Sequence, residues 1–137
     1  MDETAPSVLQ IKSPASGATV GFIGSAKVIF KWTEVTDPSG VSYDIQVATD
    51  SDFKDIVFEH SGLTSAEYES IDTEALARGQ YYWRVRAVDG ASNASDWTAT
   101  TQFKSGRMSL TTIIIILVVM VVIILIALRA RAVFSKR

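Results

Sequence analysis

The 137 residues contain no cysteine. Disulfides, thiolate catalysis, cysteine-ligated zinc, palmitoylation and a prenylation box are therefore excluded. Histidine occurs once, as His60, and no potential partner stands at a telling spacing from it. A lone imidazole makes neither a metal site nor a triad, and His60 reads as a solvent-exposed residue at a strand end. No G-x-S-x-G elbow and no Gly-rich phosphate loop occurs. The sequence thus predicts no enzyme. It offers no catalytic, cofactor-binding or metal-ligating residue, and no cofactor or small-molecule substrate is expected.

A signal peptide is also not visible. Met1-Asp2-Glu3-Thr4-Ala5-Pro6 is acidic and polar, the reverse of a basic n-region followed by an apolar stretch. Either the domain that follows never crosses a membrane, or the chain is the C-terminal piece of a longer exported protein. Asp2 to Ser7 resembles an interdomain linker, which favours the second reading.

Charge is missing from one long stretch. Leu110 to Leu128 reads LTTIIIILVVMVVIILIAL, and the run ends at Arg129-Ala130-Arg131. Nineteen helical residues rise about 28 Å, close to the roughly 30 Å hydrocarbon core of a bilayer. The segment is predicted to be a transmembrane helix with the lipid bilayer as its partner. It holds no Gly, no GxxxG and no ionisable group, so it reads as a passive anchor. The charges then separate. Residues 1–109 carry nine Lys or Arg against fifteen Asp or Glu, a net of −6; residues 129–137 carry four Lys or Arg and no acid, a net of +4. An acidic domain argues against a nucleic-acid partner. A basic stub beside a span fits a cytoplasmic flank.

Short strands separated by turns fill residues 8–105. Val28, Phe30 and Trp32 share one face of a strand; Tyr43, Ile45 and Val47 share one face of another. Asp37-Pro38-Ser39-Gly40 is a strong turn signal. Tyr81 to Val88 alternates most clearly, with Tyr81, Trp83, Val85 and Ala87 inward and Arg84 and Arg86 toward water. Further runs lie at Val8–Lys12, Ile56–Glu59, near Tyr68–Ile71 and at Trp97–Lys104. Asp72 to Ala77 is a short helix-like crossover. About seven strands with period two predict an all-β, antiparallel, immunoglobulin-like sandwich, followed by one C-terminal transmembrane α-helix.

Leu76-Ala77-Arg78-Gly79-Gln80-Tyr81-Tyr82-Trp83-Arg84-Val85-Arg86-Ala87-Val88-Asp89 resembles the E–F corner and F strand of fibronectin type III domains, of the kind repeated in prokaryotic surface proteins. Trp32 matches the family's core tryptophan. Ser13-Pro14, Tyr43 to Ala48 and Ser95-Asp96-Trp97 extend the likeness over roughly residues 6–105. The resemblance implies that Tyr81 is a tyrosine-corner residue whose hydroxyl bonds back to the chain upstream. Arg78 stands where the family usually has Pro, which loosens that turn. The family implies spacing and binding, and no reaction.

Three loop features have competing readings. Asp50-Ser51-Asp52-Phe53-Lys54-Asp55 alternates acids as calcium loops do, but lacks their Gly and distal Glu, so turn chemistry is expected. Asn93-Ala94-Ser95 is a formal glycosylation triplet in a small polar loop that reads as a plain connection. Trp32 and Trp83 read as core, while the place of Trp97 is open.

The expected organisation is a linker at 1–7, a fibronectin type III-like sandwich at 8–105, a juxtamembrane linker at 106–109, a transmembrane helix at 110–128 and a basic cytoplasmic stub at 129–137. The expected function is that of a single-pass protein of the cell membrane, with the sandwich extracytoplasmic and the C-terminus cytoplasmic. The sandwich would act as a membrane-proximal stalk, spacer or recognition module for an unidentified protein or glycan. The alternatives are an accessory subunit of a membrane complex and a tail-anchored protein with a cytoplasmic sandwich.

Overall fold

A computed structural model of the protein describes residues 4–22, 25–106 and 108–136. Met1 to Glu3 of the expected N-terminal linker, Arg107 of the juxtamembrane linker and Arg137 of the basic stub lie outside the described residues. The chain divides into two compact units, residues 1–107 and 108–137.

The first unit is a sandwich of two sheets. Among the described residues its strands are β1 (Ile11–Ser13), β2 (Ala18–Val20), β3 (Ile29–Trp32), β4 (Val41–Ala48), β5 (Ile56–Leu63), β6 (Glu67–Glu69), β7 (Gly79–Asp89) and β8 (Thr101–Ser105). One sheet has the order β1-β3-β6 and the other β2-β8-β7-β4-β5. The expected fold class is borne out, with four differences in detail. β2 adds an eighth strand, and it runs parallel to β8. The first strand starts later than read, at Ile11. β5 runs on to Leu63 because β4 pairs with it as far as Tyr43↔Leu63. The last strand starts at Thr101, which leaves Trp97 outside it.

Alternation places the core as predicted. Val28, Phe30 and Trp32 from β3, Tyr43, Ile45 and Val47 from β4, and Tyr81, Trp83, Val85 and Ala87 from β7 are all buried. Phe30 is the hub. Its ring makes edge contacts with Trp83 at 5.0 Å, Phe103 at 5.8 Å and Phe58 at 6.0 Å between centroids. Such pairings add to the burial of large apolar surfaces from both sheets.

The tyrosine corner is present. Tyr81 Oη donates to the Ala77 carbonyl at 2.8 Å, closing the turn that feeds β7, and burial pushes the Tyr81 hydroxyl above its ordinary pKa. Arg78 in the turn does not disturb this bond. Tyr81→Phe keeps the ring and removes the donor. It is expected to cost about 1 kcal/mol, read as a lower urea midpoint at unchanged slope.

The second unit is the helix α1 (Leu110–Phe134). Ser109 caps it by accepting the Thr112 amide at 3.1 Å. It runs past the predicted end at Leu128 and takes in Arg129 and Arg131. None of its residues is buried, and α1 is long and apolar enough to cross a membrane.

Candidate functional site

Two clusters on the sandwich engage residues expected in water, Arg84 and Arg86 in one and His60 in the other. The first lies on the outer face of the five-stranded sheet. Arg84 and Arg86 project from β7, Asp44 and Gln46 from β4. Arg84 gives both Nε and Nη2 to Gln46 Oε1, at 2.9 and 2.7 Å, and Gln46 Nε2 donates to Glu59 Oε2 on β5 at 2.9 Å. Arg86 Nε donates to Asp44 Oδ2 at 2.9 Å.

Two rings close over these cations. The Arg84 guanidinium lies 4.0 Å from the centroid of Phe53 and 4.5 Å from that of Trp97, and Arg86 lies 4.7 Å from Trp97. Burial, and then the neighbouring Arg86 charge, lower the Arg84 pKa. The arginines are therefore half-buried in a cation–π ladder rather than free in water. Phe53 adopts a left-handed backbone conformation, φ 55°, which is unusual for a bulky residue and aims its ring into the ladder. The result is a flat strip of guanidinium edges, carboxylate and half-exposed indole running across three strands.

The second cluster centres on His60, which is neither at a strand end nor solvent-exposed as expected. It sits within β5, and its side chain is 34% exposed beside a Glu74 side chain 13% exposed. His60 Nε2 lies 2.6 Å from Glu74 Oε1 and 2.8 Å from Tyr68 Oη, and Tyr68 Oη donates to Glu74 Oε2 at 2.7 Å. With the Tyr68 proton given to Glu74, Nε2–H is the donor to both neighbours. The Ile71 amide also donates to Glu74, at 3.2 Å. β5 edges one sheet and β6 edges the other, so the cluster joins the two sheets at their rims. Glu74 accepts from Tyr68, His60 and the Ile71 amide at once, and the cluster reads as a structural latch. Its centre, Glu74, belongs to a single turn of 3-10 helix, Asp72–Glu74, within the helix-like crossover expected at Asp72 to Ala77.

The remaining candidates resolve into loop chemistry. Asp50 accepts the amides of Asp55 at 2.9 Å and Lys54 at 3.1 Å, and these bonds hold its carboxyl below the usual range. Among the described residues no three His, Cys, Asp or Glu side chains gather as metal ligands. Asn93 Nδ2 donates to Asp89 Oδ2 at 2.8 Å, and Ser95 Oγ accepts the Ala87 amide at 3.0 Å. The polar side chains of the glycosylation triplet thus tie their own loop to β7.

The family described as the Rha78A-like, N-terminal immunoglobulin domain matches residues 19–109. No curated protein sequence matches the chain. Among solved structures, the fibronectin(III)-like modules of Clostridium thermocellum CbhA are similar at 17% identity and a TM-score of 0.47, covering 74% of this chain and 97% of theirs. A Fn3-like protein from Clostridium thermocellum is similar at 17% identity and a TM-score of 0.48, covering 77% and 95%. The FN1-FN3 domains of chicken CNTN1 follow at 14% identity and a TM-score of 0.50, covering 78% and 36%. At 14% identity the likeness to the CNTN1 domains speaks for the fold alone, and that fold agrees with the resemblance carried by the β7 motif.

Proposed function

The chain belongs to the Rha78A-like N-terminal immunoglobulin domain family, and on that premise we propose that it is a non-enzymatic, single-pass membrane protein whose sandwich stands at the cell surface as a membrane-proximal stalk or recognition module. Helix α1 carries this reading. It offers nineteen consecutive uncharged residues, Leu110 to Leu128, none of them buried. Its last turns bear Arg129 and Arg131, whose long side chains reach toward headgroups from a helix end. The +4 net charge of residues 129–137, against −6 for residues 1–109, supports a cytoplasmic C-terminus and an outward sandwich.

On this reading the work of the domain is spacing and contact. The Arg84–Trp97–Arg86 strip is its contact surface, since it offers planar donors and a half-exposed ring on a rigid sheet. A protein or glycan partner suits that chemistry.

The test is topological. A single cysteine at Ser92, in the exposed loop after β7, has no native thiol competing with it. Intact cells treated with a membrane-impermeant maleimide are expected to label it. Labelling only after lysis would place the sandwich in the cytoplasm and favour the tail-anchored alternative.

A further inference from the structure

One end of the sandwich combines features that its overall composition does not foreshadow. Phe22, in the loop leaving β2, is 57% exposed. It follows Val20, whose carbonyl accepts the Gly106 amide at 2.9 Å and whose backbone pairs with Ser105 in β8. Phe22 therefore lies at the end of the domain from which the chain departs toward α1. Only residues 107–109 separate Gly106 from Leu110, a tether of at most about 14 Å when fully extended.

The same end is basic. Arg78, in the turn before β7, and Lys104, on β8, border a depression of about 560 Å³ together with Thr19, Gln80 and Gly106. Arg78 and Lys104 make no ion pair among the described residues, whereas Lys27, Lys31 and Arg86 do. Asp72, in the crossover that leads into this end, is already engaged by Lys27 at 2.7 Å. A domain carrying a net −6 thus has two cations without an ion pair, among the described residues, at the same end as the exposed Phe22 ring and the departing tether.

We propose that this end is a membrane-docking surface, in which Phe22 enters the interfacial layer while Arg78 and Lys104 bind phosphate oxygens of anionic phospholipid headgroups. The inference rests on the reading of α1 as a membrane span. The chemistry is that of interfacial anchoring. An aromatic ring favours the headgroup boundary, and Lys and Arg are drawn to an anionic surface within a Debye length. A tether this short lets the cations come within that range of the headgroups. Docking holds the sandwich against the bilayer, and the Arg84–Trp97–Arg86 strip is then presented at a set height.

Phe22→Cys carrying a bimane label, in the full chain reconstituted into vesicles with headgroup spin-labelled lipid, reads the contact. Ser92→Cys is the reference, because β7 spans eleven residues, about 33 Å, between Gly79 beside Ser105 and the Ser92 loop. The label at 22 should be quenched several-fold more than the label at 92. The quenching should be stronger in phosphatidylglycerol than in phosphatidylcholine vesicles, and Arg78→Gln with Lys104→Gln should remove that lipid dependence. Equal quenching at both sites, or quenching indifferent to lipid charge and to both substitutions, overturns the proposal and leaves Phe22 to a protein partner or to solvent. Carbonate-resistant flotation of the same vesicles tests the span separately. A chain that floats but shows no quenching at 22 refutes docking alone, and a chain that does not float refutes the span and docking together.

Discussion

Trp83→Ala is expected to destabilise the sandwich by roughly 3–5 kcal/mol, the cost of truncating a large buried aromatic where neighbours cannot collapse into the space. Trp83 is 0% exposed, packs 5.0 Å from Phe30 and 6.4 Å from Trp32 between centroids, and donates its Nε1–H to the Pro14 carbonyl at 3.2 Å. The substitution therefore removes contacts to the opposite sheet and leaves an acceptor near β1 without its donor. Since domains of this size hold only about 5–15 kcal/mol in total, the loss takes a large share of the stability. Urea unfolding of the full chain in mild detergent, followed by near-ultraviolet circular dichroism, reads the effect. Trp97→Ala is the comparison. Its ring lies on the outer face against two guanidinium groups, so a loss nearer 1 kcal/mol is expected. Equal losses for the two tryptophans would mean that Trp83 is not at the centre of the core.

The contrast between those two tryptophans shows which parts of the fold were legible in the sequence. Trp83 lies in an eleven-residue strand paired on both sides, and its inward orientation follows from period two alone. The same holds for Phe30 and Ile45. Trp97 lies in irregular backbone, where no period operates. That it covers Arg84 and Arg86 depends on the path of the loop from Asp89, and alternation could only state which side of β7 the arginines leave from. β2 is invisible to alternation for a related reason. Ala18-Thr19-Val20 is three residues between Gly17 and Gly21, paired only with β8, too short and too half-exposed to alternate visibly. Hydropathy stops at Arg129 and so ends α1 too early, whereas helical backbone bonds need no apolar side chain and Arg and Ala both favour helix. The setting of His60 is not legible, because its partners, Tyr68 and Glu74, come from a different sheet and from a crossover, at separations with no periodic meaning.

Glu74→Ala is expected to cost about 2–3 kcal/mol, because the substitution leaves the Tyr68 hydroxyl, the His60 ring and the Ile71 amide without their common acceptor. The loss should fall on the junction between the sheets, since His60 belongs to β5 and Tyr68 to β6. Glu74→Gln separates charge from shape and gives the latch a pH signature. Burial works to raise the Glu74 carboxyl, but the hydrogen bonds from Tyr68 and His60 and the Ile71 amide outweigh it and hold the group below its ordinary 4.5. A depressed folded pKa means that the stabilisation is complete above the unfolded value and is lost as the pH falls through the folded one. The stability gap between the native chain and Glu74→Gln should therefore be full at pH 7 and close as the pH drops below about 4. Tyr68 behaves in the opposite sense. Burial first, and Glu74 after it, push its hydroxyl well above the ordinary 10.0, so its contribution is complete below that value and is lost as the pH rises through the folded one. Urea midpoints of both proteins, measured from pH 3 to pH 8, decide the matter. A gap that stays constant across that range would mean that the charge on Glu74 does not hold the two sheets together.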